Sequence, residues 1–150
     1  MKTLLSEIIE TAAKKKTKKA RAEYLREHDS VELRRILHAC FHPDVHFALP
    51  EEAPPYKPAT DKIGHEILYY ETKKFYHFIE GGNPDLSRMR RETMFIQMLE
   101  AIHPKDAEML VAMLGKKMPF PGVDNEVAHM AFPDLIPLEK TKEGKNVKNS

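Results

Sequence analysis

Apolar residues at helical spacing run through most of the chain, in blocks short enough to be separate helices. Leu4, Leu5, Ile8, Ile9 and Ala12 share one face of a first block, interrupted by Ser6 and Glu7, that fades into lysines. Thr17 stands where an N-cap belongs for a second helix presenting Ala20, Tyr24 and Leu25. Asp29 and Ser30 offer caps for a third, with Val31, Leu33, Ile36, Leu37, Cys40 and Phe41 as inward positions and Pro43 as its stop. Three short helices in succession need a common core, because none can bury its apolar face alone.

From 43 to 61 the pattern breaks. Pro50, Pro54, Pro55 and Pro58 exclude helix there, since each removes a donor and restricts the residue before it; positions 45–49 suit a short extended piece. Helical spacing returns over 64–80 with Ile67, Leu68, Phe75, Phe78 and Ile79, and Gly81, Gly82 and Asn83 suit a left-handed end. Asn83 or Asp85 then starts a helix, with Pro84 in its first turn. Its core face reads Leu86, Met89, Phe95, Ile96, Leu99 and Ile102, and its outer side is crowded by Arg88, Arg90 and Arg91. His103 and Pro104 open another helix with Ala107, Leu110, Val111 and Leu114 inward. A basic, glycine-containing turn follows, then a short helix from Asp124 and a proline-bounded exit at Phe132 and Pro133. No stretch carries a clear strand signal, and no internal repeat is visible. The pattern predicts an all-α protein, a compact orthogonal bundle of six to eight helices over residues 1–137, with a flexible basic tail at 138–150.

Composition narrows the class. A chain of 150 residues suits one domain with a real core, and 41% hydrophobic with 31% charged residues is ordinary for a globular protein. The single cysteine, Cys40, excludes an internal disulfide and suits a reducing compartment. No apolar run approaches the roughly 20 residues of a membrane span. The first apolar cluster precedes its lysines, the reverse of a secretion signal. The expectation is therefore a cytoplasmic protein with no membrane partner. Net charge is only +1, yet it is unevenly placed: ten Lys/Arg against six Asp/Glu through Arg35, then two against six over 36–72. Charge runs such as 14–19 are usually solvated faces.

Little in the sequence promises catalysis. There is no glycine-rich nucleotide loop and no Gly-x-Ser-x-Gly elbow, so neither a catalytic residue nor a cofactor is expected. His38, Cys40, His42, Asp44 and His46 come nearest to a metal set, but Cys40 points off the face shared by His38 and His42, and no metal is assigned. Tyr69, Tyr70, Phe75, Tyr76 and Phe78 offer stacking surfaces, about half of which helical spacing assigns to the core. Lys73, Lys74, Arg88, Arg90, Arg91, Lys105, Lys116 and Lys117 fall near the two glycine-bearing turns, where charges and free helix amides can converge on phosphates.

Taken in order, these elements resemble the N-terminal DNA-binding domain of T-even-phage-type ATP-dependent DNA ligases, over roughly residues 4–137. The likeness begins with Leu4-Leu5-Ser6-Glu7-Ile8 and a lysine-rich second helix ending in Arg26-Glu27-His28-Asp29. It is most specific at the end, where Gly122, Val127, Ala128, Phe132-Pro133 and Leu135-Ile136-Pro137 match the family's glycine turn, short helix and aromatic-Pro-x-Leu-Ile-Pro exit. The chain is also similar to short proteins of T-even-like marine phages.

The ligase resemblance implies a domain that grips intact or nicked duplex DNA through the minor groove and phosphate backbone, with little regard for sequence. It makes the 82–83 and 116–122 turns the phosphate-contacting loops. The expected DNA-binding residues are Gly82, Asn83, Arg88, Arg91, Lys105, Lys116, Lys117 and Gly122. Lys117 stands where the family tends to carry arginine, which keeps charge but loses bidentate geometry. Pro119 and Pro121 remove two amides from the second turn. The family's adenylation domain, with its Lys-x-Asp-Gly nucleophile, and its oligonucleotide-binding barrel have no counterpart in this sequence. The implied protein is a non-catalytic phage module of the host cytoplasm, accessory to or competing with DNA ligation or repair. A helical adaptor for a phage replication or repair protein, or for a host factor, is the alternative, with Tyr56 in the proline-rich 50–58 segment presented to the partner.

Overall fold

The computed structural model describes residues 2–138, and within them the protein is all-helical. The tail expected at 138–150 lies outside the described residues except for Leu138. Seven α-helices and one 3-10 helix follow one another: α1 Leu5–Ala13, α2 Lys18–Glu27, α3 Val31–Phe41, α4 Ile67–Glu71, the 3-10 helix Thr72–Phe78, α5 Arg88–Ala101, α6 Pro104–Met113 and α7 Asn125–Ala131. Helix α1 packs between α2 and α6, α7 lies across α2 and α3, and the 3-10 helix bridges α3 and α5. One core joins them, with Leu33, Ile36, Leu37, Leu99 and Ile102 fully buried, and an edge-on contact between Phe78 and Phe95 ties the 3-10 helix to α5.

Helix starts follow the predicted caps where a side chain can reach the orphan amides of the first turn. Thr17 accepts from the Ala20 amide at 3.0 Å, Ser30 from Leu33 at 3.0 Å and Asp124 from Val127 at 3.0 Å. Helix α1 has Leu4 at its cap position and no capping side chain of its own. A carboxylate from elsewhere supplies the acceptor: Asp106 Oδ1, on the first turn of α6, takes the Ser6 amide at 3.0 Å.

Several expectations are corrected. The helix read over 64–80 starts only at Ile67 and tightens into 3-10 geometry at Thr72, whose hydroxyl donates to the Tyr69 carbonyl at 3.0 Å and accepts from Arg35 at 3.2 Å. Such back-bonding competes with the α ladder. The chain then extends at Ile79, which pairs with Phe47 in an isolated bridge, so the short extended piece at 45–49 exists without forming a sheet. Helix α5 is capped not by Asn83 or Asp85 but by Ser87, whose hydroxyl accepts from Arg90 at 3.2 Å. Val31 and Met89 are 57% and 79% exposed rather than core, each in the first turn of its helix. Ala22, not Ala20 or Tyr24, is buried with Leu25 in α2.

Candidate nucleic-acid interface

The 82–83 turn closes on itself. Gly81 adopts a left-handed φ of 83°, Gly82 donates its amide to the Ile79 carbonyl at 2.9 Å, and a Cβ on Gly82 would collide with the Tyr76 carbonyl. The Asn83 amide nitrogen meets His77 Nδ1 at 3.0 Å. Arg91 is turned inward as the keystone of this loop, donating to the carbonyls of His77 at 2.8 Å, Asn83 at 3.2 Å and Leu86 at 3.1 Å. Arg88 is 83% exposed on its side chain and pairs with Glu92 at 3.0 Å. Of the four residues expected to contact DNA here, Arg88 alone projects a charge outward.

The 116–122 turn divides in two. Lys116 has a left-handed φ of 61° and points its ammonium at the end of α3, donating to the carbonyls of Ala39 at 3.0 Å, His42 at 3.0 Å and Val45 at 2.6 Å. It caps the negative end of that helix, where the last carbonyls lack internal partners. Lys117 is exposed. Gly122 approaches the last turn of α1 so closely that a Cβ would run into the Ala13 carbonyl. That close approach, which only glycine allows, lays the proline-rich turn against the lysine run at the α1–α2 junction.

The result is an open cleft of about 490 Å³ lined by Glu10, Ala13, Lys14, Arg21, Pro119, Phe120, Pro121 and Gly122. Lys105 reaches its edge, with Nζ 3.9 Å from Glu10. Arg21 is held by its Nε–H to the Lys15 carbonyl at 2.9 Å, which leaves its terminal nitrogens for other partners. Lys14, Lys16 and Lys19 are exposed around the junction, while Lys18 pairs with Glu126 of α7, a hydrogen bond that raises its pKa. Gly122 therefore lines this cleft and Lys105 reaches its edge, Lys117 is exposed two residues before Pro119, and Gly82, Asn83, Arg88 and Arg91 line no part of it. From sequence, 14–19 reads as no more than a solvated junction; the signal that the 116–122 turn lies beside it is the close approach of Gly122 to another helix, and the target of that approach, Ala13, is not readable from spacing.

A comparison with protein families places the match over residues 8–119, to a family of unknown function, DUF6433. The chain belongs to this family. No curated protein and no solved structure matches it. The matched region runs from α1 to the start of the proline-rich turn, so in this DUF6433 chain it includes the lysine junction, Lys105, Lys116 and Lys117.

Other chemically suggestive groups in the DUF6433 chain are buried or engaged. Ser6, His103 and Asp106 gather between α1 and α6, but Ser6 is 1% exposed, out of reach of any substrate. Asp106 Oδ2 and the Ser6 hydroxyl have no hydrogen-bond partner among the described residues. Burial pushes the Asp106 carboxyl above the usual carboxylate range, partly offset by Ser6, His103 and His65. Burial likewise pushes the Cys40 thiol up to about 12, so it stays protonated and unreactive. His38 and His42 face each other at 4.8 Å between ring centroids, and burial lowers the His38 pKa. No group of three or more metal-ligating side chains is found among the described residues. Phe75, Phe78 and Tyr69 are core, with the Tyr69 hydroxyl donating to the Thr3 carbonyl at 2.6 Å, while Tyr70 and Tyr76 are exposed. Within the described residues no helix is long and apolar enough to cross a membrane.

Proposed function

We propose that this protein is a non-catalytic DNA-binding module that holds the phosphate backbone of intact or nicked duplex DNA with little sequence preference, accessory to or competing with ligation or repair. The observation that carries the reading is the meeting of the lysine junction of α1 and α2 with the 117–122 turn. Lys14 and Arg21 line the cleft there, Lys105 reaches its edge at Glu10, and Lys16, Lys19 and Lys117 are exposed close by in sequence. Cations of this number in one region suit phosphates spaced along a duplex, and they supply affinity that carries no sequence information. The ligase resemblance, strongest at Gly122 and the exit from Phe132 to Pro137, adds the minor-groove grip as the form such binding takes. A mobility-shift assay at low salt with intact and nicked duplex is the test. The wild-type protein should shift both, and a triple variant Lys14→Glu, Lys16→Glu, Lys19→Glu should lose the shift while keeping its helical circular-dichroism spectrum. Absence of any complex with either duplex would sink the proposal.

The adaptor reading is favoured by a different feature. A recess of about 400 Å³ lies under the proline-rich segment, walled by Leu49, Pro50, Ala53, Pro54 and Pro55 and floored by Phe95, Ile96 and Leu114, with Glu52 and Glu92 beside it. Such an apolar recess with acidic neighbours suits an apolar side chain flanked by lysine or arginine on a partner protein. Tyr56, within the same 50–58 segment, is half-buried rather than presented outward, and burial raises its hydroxyl pKa.

A further inference from the structure

The cleft at the α1–α2 junction holds more than a backbone contact requires. Pro119, Phe120 and Pro121 give it ring surface, Lys14 and Arg21 give it cations, and Glu10 gives it a carboxylate. A face that merely follows phosphates gains nothing from a ring-lined recess and is opposed by a glutamate inside it. All three features suit a nucleotide. Its phosphate meets Lys14 and Arg21, its base lies against the Phe120 ring, and an exocyclic amine donates to Glu10. The volume, about 490 Å³, falls within the roughly 300–1,000 Å³ typical of small-molecule sites. A carboxylate accepts and does not donate, so it favours the amines of cytosine and adenine over the carbonyl that thymine presents at the same edge.

We infer that this cleft takes one unpaired nucleotide of DNA, which makes the protein a reader of gaps and frayed ends. The inference rests on the phosphate-binding reading of the same face. It adds a preference that backbone contacts alone do not produce, since those are equally available on a blunt duplex.

Fluorescence anisotropy at low salt tests it, comparing a blunt duplex with the same duplex carrying a short single-stranded gap of cytosine, adenine or thymine. The gapped duplex should bind roughly tenfold tighter than the blunt one when the gap is cytosine or adenine, and less so for thymine, as expected for one stacked base. Phe120→Leu keeps an apolar side chain in the turn and should reduce the gap preference to near unity. Glu10→Gln removes a negative charge, so it should strengthen binding of every probe while erasing the distinction between bases. Equal affinity for gapped and blunt duplex overturns the nucleotide site and leaves backbone binding standing. Failure of both probes to bind overturns both. A gap preference that survives Phe120→Leu and Glu10→Gln unchanged also overturns the assignment to this cleft.

Discussion

At Lys116 one residue does two things that conflict in ordinary circumstances. Its backbone sits in the left-handed region, φ 61°, where a non-glycine residue is strained by about 1–2 kcal/mol. Its ammonium nonetheless holds three carbonyls at and just beyond the end of α3, at 3.0, 3.0 and 2.6 Å. Hydrogen bonds to a charged group contribute about 1.5–3 kcal/mol, enough to outweigh the strain. Lys116→Ala keeps the strain and loses the bonds, so urea unfolding should show a loss of roughly 2–3 kcal/mol. Lys116→Gly loses the same bonds but relieves the backbone, and it should be the milder of the two by about 1 kcal/mol. A Lys116→Gly protein more stable than wild type by about 1 kcal/mol, the strain relief alone, would mean that the ammonium contributes nothing. Lys117, one position on and exposed, is the control: its alanine variant should unfold at the wild-type midpoint. Reduced DNA binding on reversing Lys116 would therefore report damage to the fold before it reported on the DNA interface, whereas the same result at Lys117 would report on the interface directly.

Helix α5 separates a start signal that reads well in sequence from the one the chain uses. Asn83, Pro84 and Asp85 look like a cap followed by proline in the first turn, yet the Leu86 amide bonds back to the Asn83 carbonyl at 3.2 Å and makes a separate turn, and Ser87 caps the helix. Ser87→Ala should lower stability by about 1 kcal/mol, the usual effect of removing an N-cap, while Asp85→Ala should leave the thermal midpoint within error. The opposite ranking would restore the earlier start. Elements whose ends are set by a local side chain, as at Thr17, Ser30, His103 with Pro104, and Asp124, are legible because cap and amide lie within three residues of each other. Elements whose course depends on distant partners are not. Thr72 meets Arg35 of α3, Phe47 pairs with Ile79, and together these convert the second half of an expected helix into a 3-10 segment and a bridge. The candidate interface divides the same way. Exposed Lys105 and Lys117 are visible as cations, but the inward turns of Arg91 and Lys116, and the docking of Gly122 on Ala13, are set by carbonyls outside their own helical turns.

For the molecule as a whole, the proposed DNA binding has to be reconciled with a net charge of only +1. The answer lies in distribution, because a phosphate feels charges within about a Debye length, ~10 Å at 0.1 M salt, and not the sum over the surface. The first 35 residues carry an excess of four positive charges, ten against six, and Lys105 comes up to them at Glu10, whereas acidic residues dominate 36–72. Affinity should then fall with salt at a logarithmic slope of about 0.9 for each phosphate neutralised. The location of the footprint can be read from changes in that slope. Neutralising Lys14, Lys16 and Lys19 to glutamine should flatten it by up to about 0.9 for each phosphate that no longer has a cation beside it, and weaken binding to every sequence alike. Neutralising Arg88 and Arg90, exposed at the start of α5 and outside the cleft, should leave the slope unchanged. The reverse result, a slope that responds to α5 and ignores the α1–α2 junction, would move the DNA to the 82–83 turn and remove the lysine junction from the interface.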